Sequence, residues 1–319
     1  MRSITNINRN RDNFIAAWSP DNTRLLVANI SSEEDRLAGF LHRRRKTLRV
    51  VLYGKNGGTL WEKMMYSNCD PCKLVIGWKD DSNAIVVADN EKVRILGKDG
   101  VLIGEASIRK HLLYGEKPVR VYAGDERVSI DTNIGSTIII VRGKTTSVRR
   151  RRLVAKIVYN LLSLVGGDSE RINYSISPNH KLVAFSIESY LQVSSMSTSK
   201  LWGRDLGGYI NQLEWHPSST SILSTVANPE YTYGVLTSLS GGELWRTLPF
   251  KGVFLDASWS PGGEEAALLL YNDNSCSIVR YTYEGEPVDT VDIDYCPTVT
   301  WTPMGDLSLV NEDGFSLVS

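Results

Sequence analysis

Apolar positions in this chain fall in short runs that alternate with polar ones, and the runs end in turns rich in Pro, Gly, Asn and Asp. That period predicts strands rather than helices. Six segments align on one template: FIAAWSPDNTRLLVAN, VIGWKDDSNAIVVAD, YSISPNHKLVAFS, QLEWHPSSTSILST, ASWSPGGEEAALLL and VTWTPMGDLSLVN. Each has an apolar strand ending in Trp (once in Ile), a polar turn often carrying Pro, and a second apolar strand about seven residues on. A seventh segment, VSIDTNIGSTIIIV, fits with Ile130 in the Trp place. The anchors are then Trp18, Trp78, Ile130, Ile176, Trp215, Trp259 and Trp301, spaced by 60, 52, 46, 39, 44 and 42 residues. The later spacings match the roughly 40–45-residue period of a four-stranded propeller blade.

A second signal follows the anchors. LYGKNGGTLW, ILGKDGVLIG, VSSMSTSKLW, LTSLSGGELW and RYTYEGEPVD each read as strand, tight Gly- or Ser-bearing turn, strand, which is hairpin chemistry. Each repeat therefore supplies four strands, a to d. The one helix-friendly stretch, residues 161–165, is too short to form an element of note. The last repeat stops after its third strand, and the chain opens with an orphan strand-like segment at residues 2–7. If that segment adds strand d to the last blade, no open edge is left.

The W-S-P-D-N and W-S-P-G-G turns, with G-G-x-L-W downstream, resemble the WD-repeat (WD40) propeller superfamily and its TolB-like relatives. The resemblance covers nearly the whole chain but lacks the family's G-H and W-D dipeptides, so the hydrogen-bond network they support is not carried over. It implies an all-β fold: one seven-bladed β-propeller domain over residues 1–319, closed by the N-terminal strand, that works by binding partners. The anchor Trp residues are assigned to packing between blades.

Insertions matter because b–c and d–a connections leave one face of such a fold, and a–b and c–d connections the other. The first repeat has a long b–c insertion at about 30–46 ending HRRRK, and the third has one at about 142–152 ending VRRRR. Superposed, RRRKTLRVVLYG and RRRRLVAKIVYN put Arg43 on Arg149, Lys46 on Arg152 and Tyr53 on Tyr159. Both runs are thus expected to lead from a b–c loop into strand c. The d–a connection of the second repeat, about 107–120, adds Arg109, Lys110, His111, Lys117 and Arg120. The predicted anion-binding set is Arg43, Arg44, Arg45, Lys46, Arg109, Lys110, Lys117, Arg120, Arg149, Arg150, Arg151 and Arg152. Arg fills seven of the eight places in the two runs, and its planar fork suits bidentate phosphate contacts. The ordinary alternative is a pair of solvated loops.

Net charge sharpens this picture. The chain totals zero, yet residues 1–160 hold 29 Lys+Arg against 17 Asp+Glu, and residues 161–319 hold 7 against 19. An excess of twelve in each half, of opposite sign, points to an anionic partner on one side. Cations on loops gain affinity for a phosphate backbone by counterion release. Only Phe40 and Tyr114 interleave the basic loops, which favours backbone or shape contacts with structured RNA over base stacking.

Other chemistry is sparse. There is no G-x-x-x-x-G-K-[ST] phosphate loop, no G-x-S-x-G and no H-E-x-x-H. His42 and His111 lie in the basic loops, His180 and His216 in a–b turns, so a shared metal site is not expected. Asp80-Asp81, Glu264-Glu265 and Asp292 with Asp294 sit at turns. Cys69 and Cys72 form one C-D-P-C while Cys276 and Cys296 stand alone; free thiols are expected first, a local disulfide second and a metal site last. No run is long enough to span a bilayer, no amphipathic anchor helix is evident, and the polar start MRSITNINRNRDNF lacks a signal-peptide core. The expectation is a cytoplasmic, non-enzymatic interaction platform without metal or cofactor, not inserted in a membrane, its basic face meeting RNA or a ribonucleoprotein. The alternatives are a scaffold joining the subunits of a protein complex, and a channel-site hydrolase or carbohydrate-binding propeller.

Overall fold

The computed structural model describes residues 14–33, 45–67, 74–79, 81–109, 112, 118–123, 127–132, 137–141, 147–151, 172–196, 199–272, 275–311 and 314–318. These residues form antiparallel sheets, each a meander in chain order. The chain divides into two compact units, Met1–Arg152 with Leu309–Ser316, and Leu153–Ser308 with Leu317–Ser319.

In the first unit, the first sheet holds β1 (Phe14–Trp18), β2 (Arg24–Glu33), β3 (Arg45–Gly54) and β4 (Thr59–Ser67). The second holds β5 (Val75–Trp78), β6 (Ala84–Ala88), β7 (Lys92–Gly97) and β8 (Leu102–Ser107). The third holds β9 (Pro118–Ala123), β10 (Arg127–Thr132), β11 (Thr137–Val141) and β12 (Ser147–Arg151). In the second unit, the fourth sheet holds β13 (Ile172–Ile176), β14 (Leu182–Ile187), β15 (Tyr190–Ser195) and β16 (Lys200–Asp205). The fifth holds β17 (Tyr209–Trp215), β18 (Ser221–Ala227), β19 (Thr232–Ser238) and β20 (Glu243–Arg246). The sixth holds β21 (Val253–Trp259), β22 (Glu265–Asn272), β23 (Ser275–Thr282) and β24 (Pro287–Ile293). The last sheet is β25 (Thr298–Trp301), β26 (Leu307–Asn311) and β27 (Gly314–Val318), three strands among the described residues. The segment expected to complete it, residues 2–7, lies outside them.

Burial follows position in the sheet. The second strands β6, β14 and β18 are buried almost throughout, while the fourth strands alternate exposed and half-buried residues. Second strands such as β6 (AIVVA) are apolar on both faces because both are covered, and β18 buries Ser221, Ser224 and Thr225 as well. Between the first and second sheets the core includes Leu26, Leu48, Val50, Leu52, Trp78, Ile85 and Leu96. Between the fourth and fifth it includes Leu191, Val193, Leu213, Trp215 and Val235.

The repeated Trp residues have two distinct jobs, both reaching into a neighbouring sheet. Trp indoles at strand-a ends donate backwards: Trp78 Nε1 to the Ala17 carbonyl (2.9 Å), Trp215 Nε1 to the Ser175 carbonyl (2.9 Å) and Trp301 Nε1 to Ser258 Oγ (3.0 Å). Trp indoles of the L-W motif donate forwards to the next sheet's c–d turn: Trp61 to the Lys98 carbonyl, Trp202 to that of Leu239 and Trp245 to that of Tyr283. Each of these rings covers a glycine of the turn it reaches, Gly100, Gly241 and Gly285, all at positive φ. A Cβ on Gly241 would come within 3.0 Å of the Trp202 ring. The G-G-x-L-W pattern therefore couples a bare turn, which only glycine provides, to an indole from the preceding sheet.

In place of the network implied by G-H and W-D, the second sheet builds another around a buried carboxylate. Asp89 and Arg94 are both almost fully buried and pair at 2.8 Å. Asp89 also accepts from the Glu91 and Lys92 amides (both 2.7 Å) and from Ser67 Oγ (3.1 Å), while Arg94 Nη2 donates to the Tyr66 carbonyl (3.1 Å). The b–c turn of the second sheet is thereby locked to the end of β4.

Three expectations need correction. The first strand of the third sheet is β9, ending at Ala123, which bridges Lys79 in parallel; Ile130 lies within the second strand, β10, paired with Val121 and Ile138. PVRVYA carries no Trp, and the turn after it no Pro, so the true first strand was passed over, and VSIDT, followed by the apolar run TIIIV, took its place in the alignment. Consequently residues 142–152 are no b–c insertion: Val141 and Ser147 are opposed across a c–d hairpin, and Arg149–Arg151 lie on the outer strand β12, opposite Ile139, Ile138 and Thr137. Arg43 to Lys46 and Arg149 to Arg152 are thus not equivalent positions, since Arg45 and Lys46 open the third strand, β3. Third, Cys276 and Cys296 do not stand alone; they form a disulfide with Cα atoms 5.2 Å apart. The β23–β24 register sets Cys276 opposite Ile293, which delivers Cys296 three residues later. Cys69 and Cys72 lie outside the described residues.

Candidate functional site

The edge of each sheet that carries its b–c and d–a connections is built from the ends of strands b and d and the starts of strands a and c. In the first unit, Arg45 and Lys46 start β3, Arg120 is near the start of β9, and Arg151 ends β12. Arg109 lies two residues past the end of β8, where its own amide and that of Ile108 donate to the Glu91 carbonyl. The first two sheets point the same way: at the opposite edge their a–b turns are joined by the Asp21 amide donating to Ser82 Oγ (3.1 Å), and Trp61 of the first reaches the c–d turn of the second. Strands β5 and β9 run parallel through Lys79 and Ala123. The two arginine runs therefore occupy different strands yet approach the same edge, one as strand c begins and one as strand d ends. Arg149 and Arg150 lie further along β12, towards its middle. Arg43, Arg44, Lys110, Lys117 and Arg152 lie outside the described residues.

Arg109 is the one predicted residue whose side chain is described. It is 78 % exposed and pairs with Glu91 at 3.0 Å. Other described cations of this unit are also matched: Arg24 with Asp21 (3.1 Å), Arg49 with Glu62 (2.7 Å), Lys79 with Asp81 (2.6 Å) and Lys92 with Glu105 (2.7 Å). Hydrogen bonding from the Arg49 guanidinium holds the Glu62 carboxyl below its ordinary pKa, as bonding from the Lys79 ammonium does for Asp81. Burial works against ionisation of Asp21, but hydrogen bonds from Ser19, Thr23 and Arg24 outweigh it and keep that carboxyl well below the usual range. Matched pairs of this kind contribute little net field. The twelve-charge excess of the first half must then come from cations outside these pairs.

The second unit presents a different surface at the corresponding edge of its fourth and fifth sheets. The Leu206 amide donates to the Ser189 carbonyl and the Ile210 amide to that of Glu188, closing the d–a connection onto the b–c turn. An open cavity of about 670 Å³ lies here, lined by Glu188, Ser189, Asp205, Gly207, Gly208 and Tyr209. Tyr190, Tyr209, Tyr231 and Leu248 are exposed along the same edge. Sequence reasoning passed over these residues, although a Gly-Gly step followed by Tyr at the start of a strand a is a local signal for an open, aromatic-rimmed connection. Of the histidines, His180 and His216 sit in a–b turns as expected. His216 is buried: its Nε2 donates to the Gly263 carbonyl (3.0 Å), its Nδ1 accepts from Ser218, and its ring meets Trp259 edge-on. That contact joins two a–b turns and serves packing. Among the described residues, no group of three or more His, Cys, Asp or Glu is arranged to hold a metal ion, and no helix is long and apolar enough to cross a membrane.

No family model matches this chain, and no curated protein matches it. Solved structures do. A chain in the crystal structure of the Mitotic Checkpoint Complex is similar over 95 % of this chain and 89 % of its own, at 14 % identity and TM-score 0.58. The β-propeller domain of Myceliophteria thermophila Cps50 (Swd1) is similar over 97 % of both chains, at 11 % identity and TM-score 0.59. The C-terminal WD40 domain of Sif2 is similar over 97 % and 96 %, at 13 % identity and TM-score 0.51. The chain has the WD40 β-propeller fold. At identities this low the likeness concerns the fold alone, and function rests on the surfaces just described.

Proposed function

We propose that this WD40-like propeller is a non-enzymatic interaction platform whose b–c/d–a edge, over the first three sheets, binds an anionic partner, RNA or a ribonucleoprotein. The reading is supported by the strand positions of Arg45 and Lys46 at the start of β3, Arg109 just after β8, Arg120 in the first half of β9 and Arg151 at the end of β12, in a half with a twelve-charge excess. Arg43, Arg44, Lys110, Lys117, Arg149, Arg150 and Arg152 complete the proposed surface by sequence. Closely spaced guanidinium groups on an edge neutralise several phosphates at once, and the released counterions give a steep salt dependence. The test is a salt titration of binding to structured RNA by the intact chain. Replacing Arg43, Arg44, Arg45 and Arg149 to Arg152 with Ala should abolish binding and flatten the slope of log K against log salt. No binding to RNA or DNA at low salt refutes the proposal.

A second reading, a scaffold that joins subunits of a protein complex, draws on the second unit. Exposed Tyr190, Tyr209, Tyr231 and Leu248 lie beside Glu188, Asp205 and Glu230, and tyrosines of this kind are common anchors of protein interfaces. One of the similar chains comes from a crystal structure of a multiprotein assembly, the Mitotic Checkpoint Complex. Affinity purification with and without nuclease separates the readings: partners lost on nuclease treatment support RNA, and partners retained support the scaffold.

A further inference from the structure

The disulfide occupies a place that other sheets secure differently. In the second sheet the d–a connection is held to the b–c turn by the Ile108 amide donating to the Glu91 carbonyl, and in the fourth by the Leu206 amide donating to the Ser189 carbonyl. Strand register puts Cys276, opposite Ile293, where Glu91 and Ser189 stand in those sheets. Cys276 has no exposed surface, whereas Cys296 is exposed in the bend between β24 and β25. That bend leads into β25, whose Trp301 donates to Ser258 Oγ of β21. The bond thus ties the third strand of the sixth sheet to the segment that opens the last sheet.

We infer that the Cys276–Cys296 bond is a permanent staple, installed during folding by thiol–disulfide exchange, and that the protein works in its oxidised form. The exchange balances as follows. The Cys296 thiolate attacks a disulfide oxidant (a protein or small-molecule disulfide), giving a mixed disulfide and one released thiolate. The Cys276 thiolate then attacks Cys296 Sγ and expels the second oxidant thiolate. Two protons leave the cysteines and two electrons reduce the oxidant to a dithiol or two thiols. The second step is intramolecular, and burial of Cys276 within the sheet slows it by disfavouring the thiolate, so closure is fastest before the sheet seals. Reduction meets the same asymmetry. A reductant entering at the exposed residue, Cys296, must expel Cys276 as a thiolate into a buried site, which disfavours the charge. An oxidised pair in the cell is compatible with the cytoplasm only where that compartment tolerates disulfides, as in hyperthermophiles.

Differential alkylation of protein from its source cell, trapped in acid and mapped by mass spectrometry, reads the state directly. The expected result is a 276–296 bridge; free thiols at both positions overturn the inference. Two single variants test the asymmetry in case loss of the bridge impairs folding. The lone Cys296 thiol of Cys276→Ala should react with an aromatic disulfide in the native protein, and the lone Cys276 thiol of Cys296→Ser at least about tenfold more slowly until denaturant is added. Equal reactivity refutes the proposed route. The double variant Cys276→Ala/Cys296→Ser should unfold at a temperature lower by several degrees than the oxidised parent, and an unchanged midpoint would show that the bond is no staple.

Discussion

Replacing Trp215 with phenylalanine removes an indole N–H that donates to the Ser175 carbonyl at 2.9 Å in a buried setting. Trp259 holds the equivalent place in the next sheet and is buried to a similar degree, but its Nε1 has no hydrogen-bond partner among the described residues. The pair of variants is therefore an internal control. Both changes remove the same atoms from comparable surroundings, so the transfer and cavity costs largely cancel. The edge-on contact of Trp259 with His216 at 4.9 Å is retained in kind by a phenyl ring. What differs is polar satisfaction. Trp215→Phe leaves the Ser175 carbonyl unsatisfied, a loss of about 1–3 kcal/mol. Trp259→Phe deletes a buried donor that was already unpaired, which relieves a penalty of the same order. Trp215→Phe should thus destabilise by at least about 1 kcal/mol more than Trp259→Phe. Guanidinium unfolding followed by far-ultraviolet circular dichroism measures the difference without relying on tryptophan fluorescence. Equal losses, or a larger loss for Trp259→Phe, would refute the assignment of the anchor indoles as bridges between sheets.

Asp89→Ala removes the 2.8 Å partner of buried Arg94 and leaves it, among the described carboxylates, only Glu105, at 3.4 Å; it should cost about 3 kcal/mol by the same unfolding assay, against much less for a partly exposed pair such as Arg49 and Glu62. Gly241→Ala and Gly305→Ala both force a Cβ onto a positive-φ turn, near +90°, costing about 1–3 kcal/mol of backbone strain; only Gly241→Ala also pushes on the Trp202 ring, so it should be the more damaging, and parity would remove the ring from the explanation. Hydrogen bonding from the Arg280 guanidinium, both contacts 2.6 Å, holds the Asp289 carboxyl below its ordinary pKa. A depressed carboxylate contributes stability above its unfolded pKa, near 4, and loses it as pH falls through the folded value. Unfolding midpoints should therefore fall more steeply below pH 4 in the parent than in Asp289→Asn, by no more than about 1 kcal/mol because the pair is partly solvated.

The sequence alone determined the strands, the hairpins and the fold class, because these depend on interactions a few residues apart. Alternating apolar positions and Gly-bearing turns such as GKNGG and LSGGE specify β3–β4 and β19–β20 without help from the rest of the chain. The reading failed where local signals were degenerate: PVRVYA lacks a Trp, so β9 was passed over and the arginine run at 149–152 was assigned to the wrong strand. Tertiary structure decided what the motifs are for. The acceptors of Trp61, Trp202 and Trp245 lie 37 or 38 residues away, a separation set by the packing of one sheet on the next and invisible to any local pattern. Cys276 and Cys296, 20 residues apart, meet only because β23 and β24 fix their register. Charge asymmetry was likewise legible as a count, but which end of its strand each of these residues occupies is decided by where the strands begin and end.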